Sequence, residues 1–132
     1  MKEIGEIRGC GSEADARWIQ QEAERLLGED ELVECASLLH EDVLLFTNWR
    51  LLLILRERLG GKKVEYLTVP YYAIVRFSVE AVGLLDLDAE VKIWTSTHND
   101  PVRLQFHRGV NVYDFQVRLA RMVARFHGVD GC

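Results

Sequence analysis

Several residue types and patterns that mark large classes of protein are scarce in this chain of 132 residues. Two prolines exclude a proline-rich linker or recognition tract. The three cysteines are an odd number at wide spacing without a C-x-x-C unit, which does not favour a disulfide framework or a zinc site. The longest hydrophobic run, residues 43–55, is interrupted by Thr47, Asn48 and Arg50 and falls short of the roughly 20 apolar residues of a membrane-spanning helix.

The charge balance excludes a further class. Lys and Arg total 16 against 21 for Asp and Glu, and the net charge of −5 lacks the dense basic footprint of a nucleic-acid binder. The hydrophobic fraction of 48% and the charged fraction of 28% are typical of a globular domain. The first nine residues lack the apolar stretch of a signal peptide. We therefore expect one soluble, cytoplasmic domain that binds no nucleic acid.

The first helix is predicted to begin after Ser12 and to end at Gly28, a residue that tolerates positive φ. Its apolar residues repeat at helical spacing and form one stripe. Trp18 lies roughly 100° or more away from that stripe. This off-stripe indole is either an anchor for a partner or a side chain partly covered by neighbouring loops.

From residue 31 to residue 107 the hydrophobic period changes to two, which predicts strands. Turn residues separate them, among them Gly60, Gly61, Pro70, Gly83 and Pro101. Seven short strands with tight turns predict an antiparallel meander that curls into a barrel or sandwich. The predicted strands are 32–39, 43–47, 50–56, 63–69, 73–80, 85–94 and 102–107.

A second helix follows, with Asn111 as its N-cap and Gly128 as its stop. Its apolar face is predicted to cover the open end of the barrel. The fold class is thus mainly β with helices: a seven-stranded, partly open antiparallel barrel capped by a C-terminal helix, with an additional N-terminal helix. The divisions are an N-terminal segment and helix (1–28), a barrel domain (29–128) and a tail (129–132).

Five segments, in order along the chain, have distinctive sequences: 46–51 (FTNWRL), 61–66 (GKKVEY), 69–80 (VPYYAIVRFSVE), 85–94 (LDLDAEVKIW) and 112–116 (VYDFQ). They resemble motifs of the bacterial pleckstrin-homology (PH) domain family. The likeness runs from about residue 26 to residue 126. Trp49 departs from the family pattern, which commonly has a lysine or another polar residue there.

The resemblance implies a PH-like fold, a non-enzymatic role and assembly into ring-shaped homo-oligomers. It implies no particular ligand, since a fold does not specify a function. We therefore expect a non-enzymatic PH-like interaction or scaffold module that self-assembles, with itself or another protein as partner and with no cofactor.

Apolar residues on both faces of two predicted strands support this expectation. Leu52 and Ile54 face opposite to Leu51 and Leu53, yet both faces are apolar, and residues 43–46 show the same continuity. A sheet with one solvated face should alternate instead. The second face is therefore covered, either by the N-terminal helix or by another subunit. The candidate oligomer interface is Leu52, Ile54, Leu44 and Phe46.

The alternative function is peripheral binding of anionic membrane lipid through a basic third hairpin. Cations near an anionic surface contribute about 1 kcal/mol each. The first turn, residues 40–42 (HED), is acidic and argues against phosphate capture there. The same basic residues also suit an ordinary solubilising turn. The candidate lipid contacts are Arg56, Arg58, Lys62 and Lys63.

Catalytic and metal-binding patterns are weak. Asp86, Asp88 and Glu90 share one predicted strand face, which suits a hard cation but also suits cross-strand pairing with Arg103 or Arg76. The four histidines show no H-E-x-x-H spacing, and neither G-x-S-x-G nor a P-loop is present. We expect no catalytic residue, no metal and no enzyme activity.

Overall fold

The computed structural model describes residues 7–8, 13–39, 42–56, 63–81, 89–106 and 112–127. Two α-helices lie in these ranges, α1 (Glu13–Leu26) and α2 (Val112–Phe126). A single 3-10 turn, Tyr71–Ala73, joins two of the strands. The strands are β1 (Ile7–Arg8), β2 (Val33–Leu38), β3 (Val43–Thr47), β4 (Arg50–Arg56), β5 (Val64–Pro70), β6 (Ile74–Ala81), β7 (Ala89–Thr95) and β8 (Val102–Phe106).

The strands form two sheets. β2 to β5 make an antiparallel meander, and the short β1 adds to β2 in parallel. β6 to β8 make a second meander. At one corner an isolated bridge joins Leu39 to Phe106, whereas β5 and β6 are not paired. The sheets are therefore not closed into a barrel, in agreement with the predicted partly open architecture.

The seven predicted antiparallel strands are confirmed with small shifts at their ends. β3 and β4 have the predicted bounds, and α2 runs from Val112 to Phe126, whereas its predicted stop, Gly128, lies outside the described residues. The first part of the predicted strand 85–94 lies outside the described residues, as do Ser12 and Asn111. Two elements were not predicted, the parallel β1 and the 3-10 turn. Neither has a hydrophobic period, because a two-residue strand and a single turn are too short to show one.

The main core lies between the two sheets and α2. Phe46 from β3, Phe106 from β8 and Phe115 from α2 pack there, with the rings of Phe106 and Phe115 in an edge-on contact at 4.5 Å. Leu119 and Met122 continue the buried face of α2. The predicted apolar stripe of this helix therefore faces the sheets, and its burial contributes hydrophobic stabilisation.

A second, smaller core lies on the opposite face of the first sheet. Ile19 and Ala23 of α1 pack against Leu45, Leu52 and Ile54. These side chains are nearly inaccessible to solvent. The helix α1 therefore supplies the cover that the two-faced strands require. Among the described residues neither helix has the length and apolar character needed to cross a membrane.

Candidate functional site

The four residues of the predicted interface lie inside the chain. Leu44 and Phe46 belong to the main core, and Leu52 and Ile54 lie under α1. None is more than 1% exposed, so none is available to another subunit. The intrachain cover, the first of the two alternatives, accounts for their apolar character. Self-association stays a prediction, but it has to use other residues.

The structure brings two other predicted residues together. The guanidinium carbon of Arg56 lies 4.7 Å from the centre of the Trp18 ring, at a distance suited to a cation–π contact. Trp18 is half-buried and packs against the second core. The contact with Arg56, the last residue of β4, therefore explains why Trp18 lies off the helical stripe. Whether it also anchors a partner stays a prediction.

The basic hairpin is described at its base only. Lys63 is exposed and lies with Arg56, Val64 and Glu65 around a depression of about 560 Å³. Arg58 and Lys62 lie outside the described residues. The backbone N–H of Arg56 donates to Asp42 Oδ1 at 2.9 Å. The aspartate of the acidic first turn thus accepts a hydrogen bond within the fold.

A buried charge network at the β3–β4 turn was not predicted. Glu31 is 1% exposed, and its carboxylate accepts hydrogen bonds from Arg50 Nε at 2.8 Å and from the Thr47 hydroxyl at 2.7 Å. The backbone N–H of Gly28 donates to the same carboxylate at 3.1 Å. Arg50 also donates to the carbonyl of Leu26, the last residue of α1. The network therefore joins the end of α1 to the first sheet.

Electrostatics keep Glu31 ionised. Desolvation by burial would raise the pKa of this carboxyl. The hydrogen bonds from Arg50, Thr47 and Gly28, with the positive charge of Arg50, outweigh that effect and hold the pKa below its ordinary value. A signal for the network was present in the sequence. Thr47 and Arg50 are polar residues within the longest apolar run, and such residues need partners when the run is buried.

The same turn presents an exposed tryptophan. Trp49 is 48% exposed, and its backbone N–H donates to the Thr47 hydroxyl oxygen at 3.0 Å. The six-membered ring lies against Gly28, where an added Cβ would stand 2.6 Å from Cη2. The φ of Gly28 lies outside the left-handed region, so the tolerance of glycine for positive φ is not used at this position. Glycine is needed there for the close approach of the indole.

The side chain of Asn48 fixes this turn from the other side. Its Oδ1 accepts from the backbone N–H of Leu32 at 2.7 Å, and its Nδ2 donates to the carbonyl of Asp30 at 3.2 Å. The Asn48 N–H donates to the carbonyl of Leu32. Residues 28–32 and the β3–β4 turn therefore form one hydrogen-bonded unit that carries Trp49.

A cavity of about 250 Å³ lies at the open seam between the sheets. It is bounded by the end of β5, the 3-10 turn and the β7–β8 turn. The hydroxyl of Thr97 lies 2.9 Å from His98 Nδ1 at its rim. This volume is below the roughly 300–1,000 Å³ of drug-sized ligand pockets, so the cavity suits one small group. Its apolar lining includes Leu67, Val69, Pro70, Ala73 and Val102.

The predicted carboxylate row is described in part. Glu90 lies 3.5 Å from Arg103 and 3.7 Å from Lys92. For Glu90 the cross-strand pairing alternative is therefore confirmed. Asp86 and Asp88 lie outside the described residues. Within the described ranges no group of three or more His, Cys, Asp or Glu side chains is placed to hold a metal ion.

Comparison with known proteins finds a matching family and a similar protein. The family model described as "Bacterial PH domain" matches residues 5–123, a span that includes α1. The chain is 41% identical over 118 residues to the uncharacterized protein YjqA of Bacillus subtilis (strain 168), covering 89% of this chain and 94% of YjqA.

Two solved structures share the fold. A pleckstrin homology domain from Shewanella amazonensis SB2B superposes with a TM-score of 0.71 at 38% identity, covering 87% of this chain and 93% of that one. A DUF1696 family protein with a pleckstrin-homology domain from Shewanella loihica PV-4 gives 0.68 at 37% identity, covering 81% and 92%. Both levels of identity are high enough for the likeness to extend beyond the fold to the family.

Proposed function

This chain belongs to the bacterial PH domain family, and from that premise we propose that it is a non-enzymatic interaction module that self-associates into a ring-like homo-oligomer. PH domains as a family generally act by binding rather than by catalysis. The four interface residues expected from the sequence lie in the interior of the chain. A different surface therefore has to meet the second copy.

The observation that carries the proposal is the apolar outer face of α2. Tyr113 is 78% exposed and Val117 is 57% exposed. They are four residues apart and so lie one above the other on the helix surface. Ala120 and Ala124 continue the same stripe at spacings of three and four residues. This is the spacing with which one helix packs against another, and the small alanines permit a close approach.

Light scattering after size exclusion tests the proposal. At high micromolar concentration we expect a molar mass that is a multiple of the 15.2 kDa chain. The double variant Tyr113→Lys with Val117→Lys should lower that mass to a single chain, because the charged side chains resist burial in an interface. The control is Gln116→Lys, which places a lysine at another exposed position of the same helix. A single-chain mass for the unmodified protein would overturn the proposal.

The second candidate function is peripheral contact with anionic membrane lipid. The observation that favours it is the grouping of exposed Lys63 with Arg56, next to Val64 and Tyr66, which are 38% and 41% exposed. Cations beside apolar and aromatic side chains are typical of segments that lie at a membrane interface.

Sedimentation with phosphatidylserine vesicles at low salt tests this candidate. We expect part of the protein to pellet, and Lys63→Glu to reduce that fraction. Lys92→Glu makes the same charge change on the other sheet and should leave the pelleted fraction unchanged. No pelleting of the unmodified protein, or an equal loss in both variants, would remove this candidate.

A further inference from the structure

We propose that the β3–β4 turn is a second, separate docking site, at which Trp49 receives a basic side chain from a segment of a partner protein. The site consists of the indole of Trp49, the exposed Leu32 beside it and the carboxylates of Glu29 and Asp30. It is distinct from the outer face of α2 and does not depend on self-association.

The three tryptophans of the chain provide the first argument. The guanidinium carbon of Arg56 lies 4.7 Å from the ring centre of Trp18, and that of Arg76 lies 4.0 Å from the ring centre of Trp94. No such cation lies over Trp49 among the residues that the structure describes. Trp49 is the exception, and its ring is held against Gly28 with 48% of the residue open to solvent. Tryptophan is the best ring for a cation–π contact and arginine is the more frequent cation, so an external arginine fits here.

The second argument is that the turn is rigid before any partner arrives. Hydrogen bonds from the Trp49 N–H to Thr47 and from Thr47 to the buried Glu31 fix the backbone of the turn. The Asn48 side chain fixes it to residues 30 and 32. A preorganised aromatic side chain loses little conformational entropy on binding, which is why tryptophan is enriched at the centres of protein interfaces.

Charge provides the third argument and decides the chemistry of the occupant. Glu29 and Asp30 are exposed and lie between Gly28, which touches Trp49, and Leu32, which is bonded to Asn48. The positive charge of Arg50 is engaged by the buried carboxylate of Glu31. Two exposed carboxylates therefore lie in the segment that Asn48 holds against the turn, and the chain as a whole carries −5. Such a surface attracts basic segments and repels acidic ones.

Leu32 adds an apolar contact. It is 65% exposed, and its backbone N–H and carbonyl both bond to Asn48, so its position relative to the turn is fixed. A segment in which arginine and leucine alternate would place a guanidinium over the indole and an aliphatic side chain near Leu32. The occupant is therefore a basic segment with interspersed apolar residues.

Fluorescence anisotropy of a labelled peptide tests the proposal. The probe is a short peptide of alternating arginine and leucine, and its counterpart has glutamate in place of arginine. We expect the arginine peptide to bind the unmodified protein and the glutamate peptide not to bind. Affinity should fall with added salt, because exposed charges are screened. Equal affinity for the two peptides would overturn the proposal.

Two variants locate the contact. Trp49→Leu keeps an apolar side chain beside Gly28 but removes the aromatic face, and we expect binding to weaken about three- to tenfold. Trp94→Leu removes an indole that already carries Arg76 and should leave the affinity unchanged. Circular dichroism and thermal melting establish that both variants are folded. Unchanged affinity in folded Trp49→Leu would overturn the proposal.

A second pair separates local charge from net charge. Glu29→Gln with Asp30→Asn should weaken binding and reduce its dependence on salt. Glu80→Gln with Asp100→Asn removes the same charge from exposed positions of the second sheet and its turn, and should have little effect. An equal loss in both pairs would overturn the proposal in favour of general electrostatic attraction.

Light scattering distinguishes this site from the proposed self-association. Trp49→Leu should leave the molar mass of the assembly unchanged, and Tyr113→Lys with Val117→Lys should leave peptide binding unchanged. A lower mass in Trp49→Leu would overturn the proposal, because it would place a second copy of the chain on the turn.

Discussion

The two faces of the first sheet are covered in different ways. The face toward α2 and the second sheet carries the larger apolar cluster, which includes Phe46, Leu51 and Leu53. The face toward α1 has a smaller apolar cluster, and the buried carboxylates of Glu22 and Glu31 lie at its margin. A core enclosed by two sheets and a helix is shielded from water over most of its surface. A face covered by one helix leaves an edge, and hydrogen-bonded charges close that edge.

Both carboxylates at the α1 margin have specific partners. Glu22 accepts a hydrogen bond from the Tyr66 hydroxyl at 2.7 Å and forms an ion pair with Arg25. Glu31 is held by Arg50 and Thr47. The contacts with Tyr66, Arg50 and Thr47 join α1, or the segment that follows it, to strands of the sheet, whereas the pair of Glu22 with Arg25 lies within α1. The small apolar area of this face is thus supplemented by contacts that fix the position of the helix.

The largest expected effect is in the main core. Phe106→Ala removes a fully buried ring that packs edge-on against Phe115, and we expect the free energy of unfolding to fall by about 3–5 kcal/mol. Urea denaturation measures this loss. Val75→Ala removes apolar atoms from a residue that is 60% exposed and should change the free energy by less than about 0.5 kcal/mol. A similar cost for the two variants would contradict the assignment of the main core.

The equivalent change on the α1 side should cost less. Ile19→Ala removes a fully buried side chain from the smaller cluster, and we expect a loss of about 2–3 kcal/mol, at the lower end of such substitutions. The reason is that one short helix can shift to fill the space more easily than two packed sheets can. A loss larger than that of Phe106→Ala would mean that the α1 face contributes more to the free energy of unfolding than the main core does.

The buried charge network around Glu31 should contribute a similar amount to the free energy of unfolding. Glu31→Ala leaves the guanidinium of Arg50 and the hydroxyl of Thr47 without their main partner, and we expect a loss of about 2 kcal/mol in urea denaturation. Glu31→Gln keeps the shape and some hydrogen bonds and should cost less. If alanine and glutamine were both neutral, the network would not hold α1 to the sheet.

The contact between Gly28 and Trp49 should give a smaller effect. A methyl group at position 28 would overlap the indole, so Gly28→Ala should displace the ring and lower stability by about 1–2 kcal/mol. Tryptophan emission should change in the same variant. In a Trp49→Leu background the cost of Gly28→Ala should shrink, because the smaller side chain can move away. An undiminished cost there would assign the effect to the backbone at position 28 instead.

The smallest effect concerns acid stability. The pKa of Glu31 is lowered in the folded state from its ordinary value of 4.5. Its contribution to stability is therefore fully present above pH 4.5 and is lost as the pH falls through the lowered folded pKa. Thermal melts between neutral and acidic pH should show a shallower decline for Glu31→Gln than for the unmodified protein. Parallel declines would mean that the carboxylate is not stabilised by folding.

The fold could be predicted largely from the sequence, because hydrophobic period is a local property. β3 and β4 have short, strong patterns and end where predicted. The candidate site could not be predicted to the same extent. The sequence showed that the second face of β4 is apolar and has to be covered. Either α1 or another subunit would fit that pattern, and only the position of α1 in the fold decides between them.

The sequence by itself determined the order of α1, the seven strands β2 to β8 and α2, the family and the need for cover on both faces of the first sheet. The tertiary structure decided that α1 is that cover, that Glu31 pairs with Arg50, and that Trp49 stands exposed against Gly28. The physical reason is one of range. Period and turn residues act over a few positions, whereas burial and ion pairing depend on groups far apart in the chain that meet only after folding.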